Sequence, residues 1–189
     1  DNAYVGEVYS LGYDEALVQI HDFHRQLVGG IPALSFLIAT RVNHSNLTDV
    51  RLEDASLVLL RVLDRANLPN ADEALRVRVE TAQRVSGEVD RHWDDRAVMD
   101  PTTHNLLSYA GIRCRVLGTY YMVDTNSDNG PTFCLFFGSD LSNYYPNRGL
   151  KVFKPRGRIL EAIVNFRDPR LPVSTQEENV PVGQVRYAS

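Results

Sequence analysis

Residues 19–36 read QIHDFHRQLVGGIPALSF, and the architecture of the chain turns on how this stretch is taken. Two histidines and an aspartate, His21, Asp22 and His24, fall within four positions just ahead of Gly29 and Gly30. Converging on one point, such side chains make a metal or catalytic site; strung along a strand, they only mark its end. Immediately upstream the chain alternates, with Ala16, Val18 and Ile20 on one face and Leu17, Gln19, His21 and Phe23 on the other. On that extended reading His21 and His24 point to opposite faces and cannot share a metal without a sharp bend. No second Cys/His pair at a usual ligand spacing completes a site. The expectation is therefore a surface-polar strand end. Gly29, Gly30 and Pro32 form a structural turn, and ALSFLIATRV (33–42) follows as a strand buried on both sides.

Working outward, YVGEVYSLGYDEALVQIHDF (4–23) holds two β-rich runs separated by a turn at Gly12 and Asp14. Short strands joined by tight glycine turns predict a small barrel or a strongly bent sheet. SLVLLRVLD (56–64) reads as another apolar strand, closed by NLPN. ADEALRVRVETAQRVSG (71–87) then carries Asp72 and Glu73 at its start, Arg84 near its end and Gly87 beyond, the charge order of a helix. Leu75, Val77 and Val79 also alternate as they would in a strand. In DPTTHNLLSYAG (100–111), Asp100 suits a cap, Pro101 the first helical position and Gly111 the stop. GIRCRVLGTYYMV (111–123) and TFCLFFG (132–138) read as a long hairpin around a polar loop, TNSDNGP. LKVFKP (150–155) is a strand, and RGRILEAIVNF (156–166) a short amphipathic helix or a continuing strand. RDPRLPVSTQEEN is a polar connector, and VPVGQVRYAS (180–189) a last strand without cap or tail. That abrupt end, with a first residue of Asp, predicts a domain cut from a longer protein.

The reading is one domain over 1–189, mainly β with helical additions (α+β). Barrel strands lie mainly in 1–65 and 111–189, with a helical insertion at about 70–110.

An apolar share of 43% and a charged share of 23% belong to an ordinary globular protein with a real core. No apolar run approaches the roughly 18 residues of a membrane helix, and no signal peptide opens the chain. A cytoplasmic protein without a membrane partner is expected, so the glycosylation patterns at Asn43 and Asn46 carry no weight. The net charge of −4 opposes nucleic-acid coating by overall charge while leaving room for a local basic patch. Cys114 and Cys134 are the only cysteines and sit in apolar surroundings, which predicts free buried thiols. Only two lysines occur, Lys151 and Lys154.

Both lysines fall in RGLKVFKPRGR (148–158), where Arg148, Lys151, Lys154, Arg156 and Arg158 accumulate without an acid. These five are the candidate contacts to a phosphate backbone or to an acidic partner surface. A solvated edge strand blunted by positive charge reads the same way. In DRHWDDR (90–96), His92 lies among Asp90, Asp94 and Asp95, a possible general base in a run that more simply reads as a linker anchored by Trp93. No glycine site ends in Gly-Lys-Ser/Thr, and neither a dinucleotide fingerprint nor a nucleophile elbow is present, so the chain hydrolyses no ATP through a P-loop.

The succession VGEVYSLGYDEALVQIHDF, VGGIP, SFLIATRV, DPTTHNLLSYAGIRCRVLGTYY, FGSDLSNYY and KVFKPRGRILEAIVN resembles the N-terminal region of bacterial HerA-type ATPases, in order and over essentially the whole chain. The motor's nucleotide-binding core is missing, and VPVGQVRYAS resembles the lead-in to it. The resemblance implies a HAS-type β-barrel crowning a hexameric DNA translocase of the FtsK/HerA group. It implies a non-catalytic role: assembling the ring with copies of itself and docking a partner nuclease such as NurA or a sirtuin-like effector, in anti-phage defence or DNA processing. DNA would be met through the full-length ring. ATP and Mg would serve the core expected downstream, with no cofactor in this chain. The alternatives are a stand-alone nucleic-acid-binding barrel using 148–158 and, last, a hydrolase around His92.

Overall fold

The computed structural model describes residues 3–41, 56–85, 99–127, 130–138 and 149–167. Strands β1 (Tyr4–Leu11) and β2 (Glu15–His21) form a hairpin whose turn closes through the Gly12 amide on the Glu15 carbonyl. β2 alternates as its sequence predicts, with Ala16, Val18 and Ile20 buried.

At His21 the extended reading fails. The chain does not run on through Phe23 but turns into a six-residue helix, α1 (Asp22–Leu27). Local hydrogen bonds explain the turn. The His21 Nδ1 accepts from the Phe23 amide as an N-cap, and the Asp22 carboxylate accepts from Arg25 Nε and Gln26 Nε2 at 2.7 and 2.6 Å. Three consecutive side chains thus favour helix where the apolar alternation favoured strand. Gly29 and Gly30 end α1 with φ of 68° and 91°, their amides closing on Gln26 and Arg25 carbonyls.

β3 (Phe36–Thr40) and β4 (Leu57–Ala66) follow. β3 is not buried on both sides as expected: Leu37 and Ala39 face the core, whereas Phe36 and Ile38 are only half-buried. A barrel wall has one inner face, so its apolar strand cannot be covered twice. Helices α2 (Ala71–Val85) and α3 (Pro101–Leu107) stand between β4 and β5 (Tyr109–Ser127). In α2 the end charges and an Arg76–Glu80 pair one turn apart favour helix over the competing alternation. Asp100 caps α3 by accepting from the amides of Thr102 and Thr103.

Gly111 does not stop that helix. The chain is extended from Tyr109, and Gly111 lies inside β5 opposite Ala66. A Cβ there would meet the Ala66 carbonyl oxygen at 2.5 Å, so glycine is required by close strand approach. The polar TNSDNGP is also less of a loop than expected, because β5 runs to Ser127 and β6 (Gly130–Gly138) resumes at once. β7 is short (Lys151–Phe153), and α4 (Gly157–Val164) resolves RGRILEAIVNF as helix.

The sheet order is β2-β1-β7-β3-β4-β5-β6, and β2 also pairs with β5. Six antiparallel strands therefore close a barrel, and β6 lies outside the closure as a seventh strand on β5. The interior is filled by Val5, Val18, Leu37, Leu60, Cys114 and Val152 among others, all essentially without exposure. The fold is mainly β with helical additions. Among the described residues no helix is long and apolar enough to cross a membrane.

Candidate functional site

The basic stretch separates into residues with different fates. Lys154 is 4% exposed, and its ammonium donates to the carbonyls of Val28 and Gly30 at 3.1 and 2.8 Å. Arg156 Nη2 donates to the Leu27 carbonyl at 3.4 Å. The two cations thus serve the C-terminal carbonyls of α1 and the Gly29-Gly30 turn, where positive charge is favoured. Burial pulls the Lys154 amine below the usual lysine range, and the Arg156 cation adds to the shift. Lys154 is therefore withdrawn from the candidate contacts to DNA or partner: its ammonium is committed inside the fold. Lys151 sits half-buried on β7, on the opposite side from Lys154, and Arg158 is exposed at the start of α4. Arg148 lies outside the described residues, as do His92, Trp93, Asp90, Asp94, Asp95 and VPVGQVRYAS.

The opening histidines are brought closer than strand geometry allowed. Because α1 begins at Asp22, the rings of His21 and His24 lie 6.1 Å apart between centroids, nearly edge to face. They do not make a metal site. His21 Nδ1 is engaged by the Phe23 amide, so Nε2 carries the proton and donates to Asn105 Oδ1 at 3.1 Å. The Asp22 carboxyl, held below its usual range chiefly by its hydrogen bond from Arg25, is consumed by Arg25 and Gln26. Among the described residues no group of three His, Cys, Asp or Glu side chains could hold a metal ion.

Instead the histidines belong to a wall of perpendicular rings. Tyr109 stands 4.9 Å from His21, and Tyr4 and Phe23 stand 4.8 and 5.5 Å from His24. These rings border a cleft of about 420 Å³ whose lining also includes Glu7, Gln19 and Asn105. α3 positions the amide of Asn105, and the Ser108 carbonyl behind it accepts from the Asp22 amide at 2.9 Å. Four elements, β1, β2, α1 and the α3–β5 junction, thus converge here. The sequence reading missed Tyr4, Glu7, Asn105 and Tyr109, because the contacts span up to 84 positions and leave no spacing pattern.

A second feature is the β5–β6 hairpin. Met122 and Leu135 stand opposite one another in its register and are 41% and 42% exposed. Two register positions along, the Tyr120–Phe137 pair is covered by Phe166 from beyond α4, with ring centroids 5.1 Å from Tyr120. No family model, curated protein or solved structure matches the chain.

Proposed function

We propose that this chain is the non-catalytic N-terminal barrel of a hexameric HerA-type ATPase and DNA translocase. In this reading it assembles the ring and docks a partner nuclease or sirtuin-like effector in anti-phage defence or DNA processing. ATP and Mg belong to a motor core elsewhere in the parent protein, and DNA is met by the complete ring. The order of sequence blocks supports this. The observation that supports it most is the hairpin outside the barrel closure. A wall that seals itself through six strands yet holds the Met122–Leu135 pair in water offers a surface suited to burial against another subunit.

Light scattering across a concentration series tests the assembly. The expected result is a multimer that Met122→Glu with Leu135→Glu dissociates while leaving the thermal midpoint within a few degrees. A strict monomer at high concentration that also binds neither kind of effector would overturn the reading. The rival nucleic-acid reading is now best probed with Lys151→Glu and Arg158→Glu, since Lys154→Glu would damage the fold itself.

A further inference from the structure

One imidazole joins two helices through its two nitrogens. His21 Nδ1 accepts from the Phe23 amide at 3.2 Å and so caps α1, while Nε2 donates to Asn105 Oδ1 at 3.1 Å and so ties down α3. Only the neutral ring can do both, because imidazolium carries a proton on each nitrogen and has no lone pair left to accept with. Protonation therefore spares the bond to Asn105, where His21 is the donor. It removes the bond from Phe23, where His21 is the acceptor. It also sets a positive charge against the amides that open α1, the end of a helix that disfavours one. The ring is half-buried, so protons reach it from solvent.

The charged and titratable groups around the ring come from every neighbouring element. On α1, the Asp22 carboxylate favours the imidazolium by charge and is itself bonded to Arg25 and Gln26, and the His24 ring lies 6.1 Å away. From β5 the ring faces Tyr109, and from α3 the uncharged Asn105, with His104 lining the adjoining cleft beside Asp22 and Arg25. From β1, Tyr4 and Glu7 border the same cleft as His21, and Lys151 of β7 stands opposite Glu7 in the register. Together these groups set the pH at which the ring titrates. The loss of the acceptor at Nδ1 follows from the proton itself.

We propose that His21 is a pH-operated latch on α1. Neutral, it caps α1 and holds α3; protonated, it keeps α3 and releases the first turn of α1. That turn carries Phe23 and His24, whose rings form one side of the aromatic cleft, so acid opens the cleft at this side. The cap is complete above the pH at which His21 titrates and is lost as the pH falls through it. The latch needs only residues of this chain and does not rest on ring assembly.

NMR of the 15N-labelled full chain from about pH 8 to about pH 5 tests it. The Phe23 amide shift should follow the His21 Cε1–H with a common midpoint. Protection of that amide against hydrogen exchange, corrected for the intrinsic rate, should fall about three- to tenfold on protonation. His21→Asn, whose side-chain oxygen caps without titrating, should keep α1 closed at both ends of the range. His21→Ala should leave it open at both, and His24→Gln and His104→Gln should retain the response. A Phe23 amide that stays still while His21 titrates would overturn the proposal, as would an α1 that remains closed in His21→Ala. A response that survives in His21→Asn, vanishes in His24→Gln or His104→Gln, or follows a carboxylate midpoint would assign the switch to another group and overturn it equally.

Discussion

Lys154 and the carbonyls it serves are 124 and 126 positions apart. Losing the ammonium leaves one buried carbonyl, of Val28, and one part-buried carbonyl, of Gly30, without this donor, and hydrogen bonds to charged groups contribute about 1.5–3 kcal/mol. Lys154→Met should therefore lower stability by about 2 kcal/mol in urea unfolding; a change within error would show that the turn stands without it. The pH response has a defined sign. The native amine is held below its ordinary value of 10.5, so between the two pKa values the unfolded chain binds more protons. Native stability relative to Lys154→Met should thus rise with pH through that window and level off above the ordinary lysine value. The burial was half legible. Alternation places Lys154 on the same side as Leu150 and Val152, which are 2% and 0% exposed, and separates it from Lys151. What no spacing reveals is that a turn built from Gly29 and Gly30 lies underneath to accept the charge.

Strand β2 follows from period-two patterning, β1, β4 and β7 from short apolar or β-rich runs, and α3 from its Asp-Pro start, because those signals are local and uncontested. The errors fall where two signals compete. At residues 21–26 an apolar alternation ends in side chains that bond their own backbone and one another, and the bonds win. At Gly111 a residue that commonly ends helices is needed instead by a neighbouring strand. Gly111→Ala should cost about 2–3 kcal/mol, because the new methyl meets the rigid Ala66 carbonyl rather than a movable side chain. Chemical denaturation measures this, and a loss below 0.5 kcal/mol on the scale expected of a strand glycine elsewhere would contradict the close approach. The cleft was less legible than any element, since its walls come from β1, α1 and β5 and meet only once the barrel has closed.

The barrel leaves and re-enters its wall at one point. Ala66 at the end of β4 pairs directly with Gly111 near the start of β5, so α2 and α3 lie on an excursion whose two ends already touch. Replacing residues 68–108 with a short Asn-Gly turn should preserve a cooperatively unfolding barrel. It should lose about 2 kcal/mol through the missing Asn105 bond to His21 and the missing Ser108 carbonyl for Asp22. Near-ultraviolet circular dichroism with urea unfolding measures both, and a chain without a cooperative transition would show that the helices are integral to the fold. The small barrel expected from short strands and glycine turns is therefore present. What composition did not convey is which strands become neighbours, because that depends on pairing between distant parts of the chain.

β7 holds only three residues, yet it joins β1 to β3: Val152 lies opposite both Gly6 and Ala39. During synthesis the first three strands leave the ribosome long before this staple does. Until residue 153 emerges, β1 and β3 each keep an unpaired edge, the kind of surface on which nascent chains capture one another. The interval between the emergence of β3 and of β7 is therefore a window for aggregation. Slowing translation between them should increase aggregation, and shielding by a chaperone should relieve it.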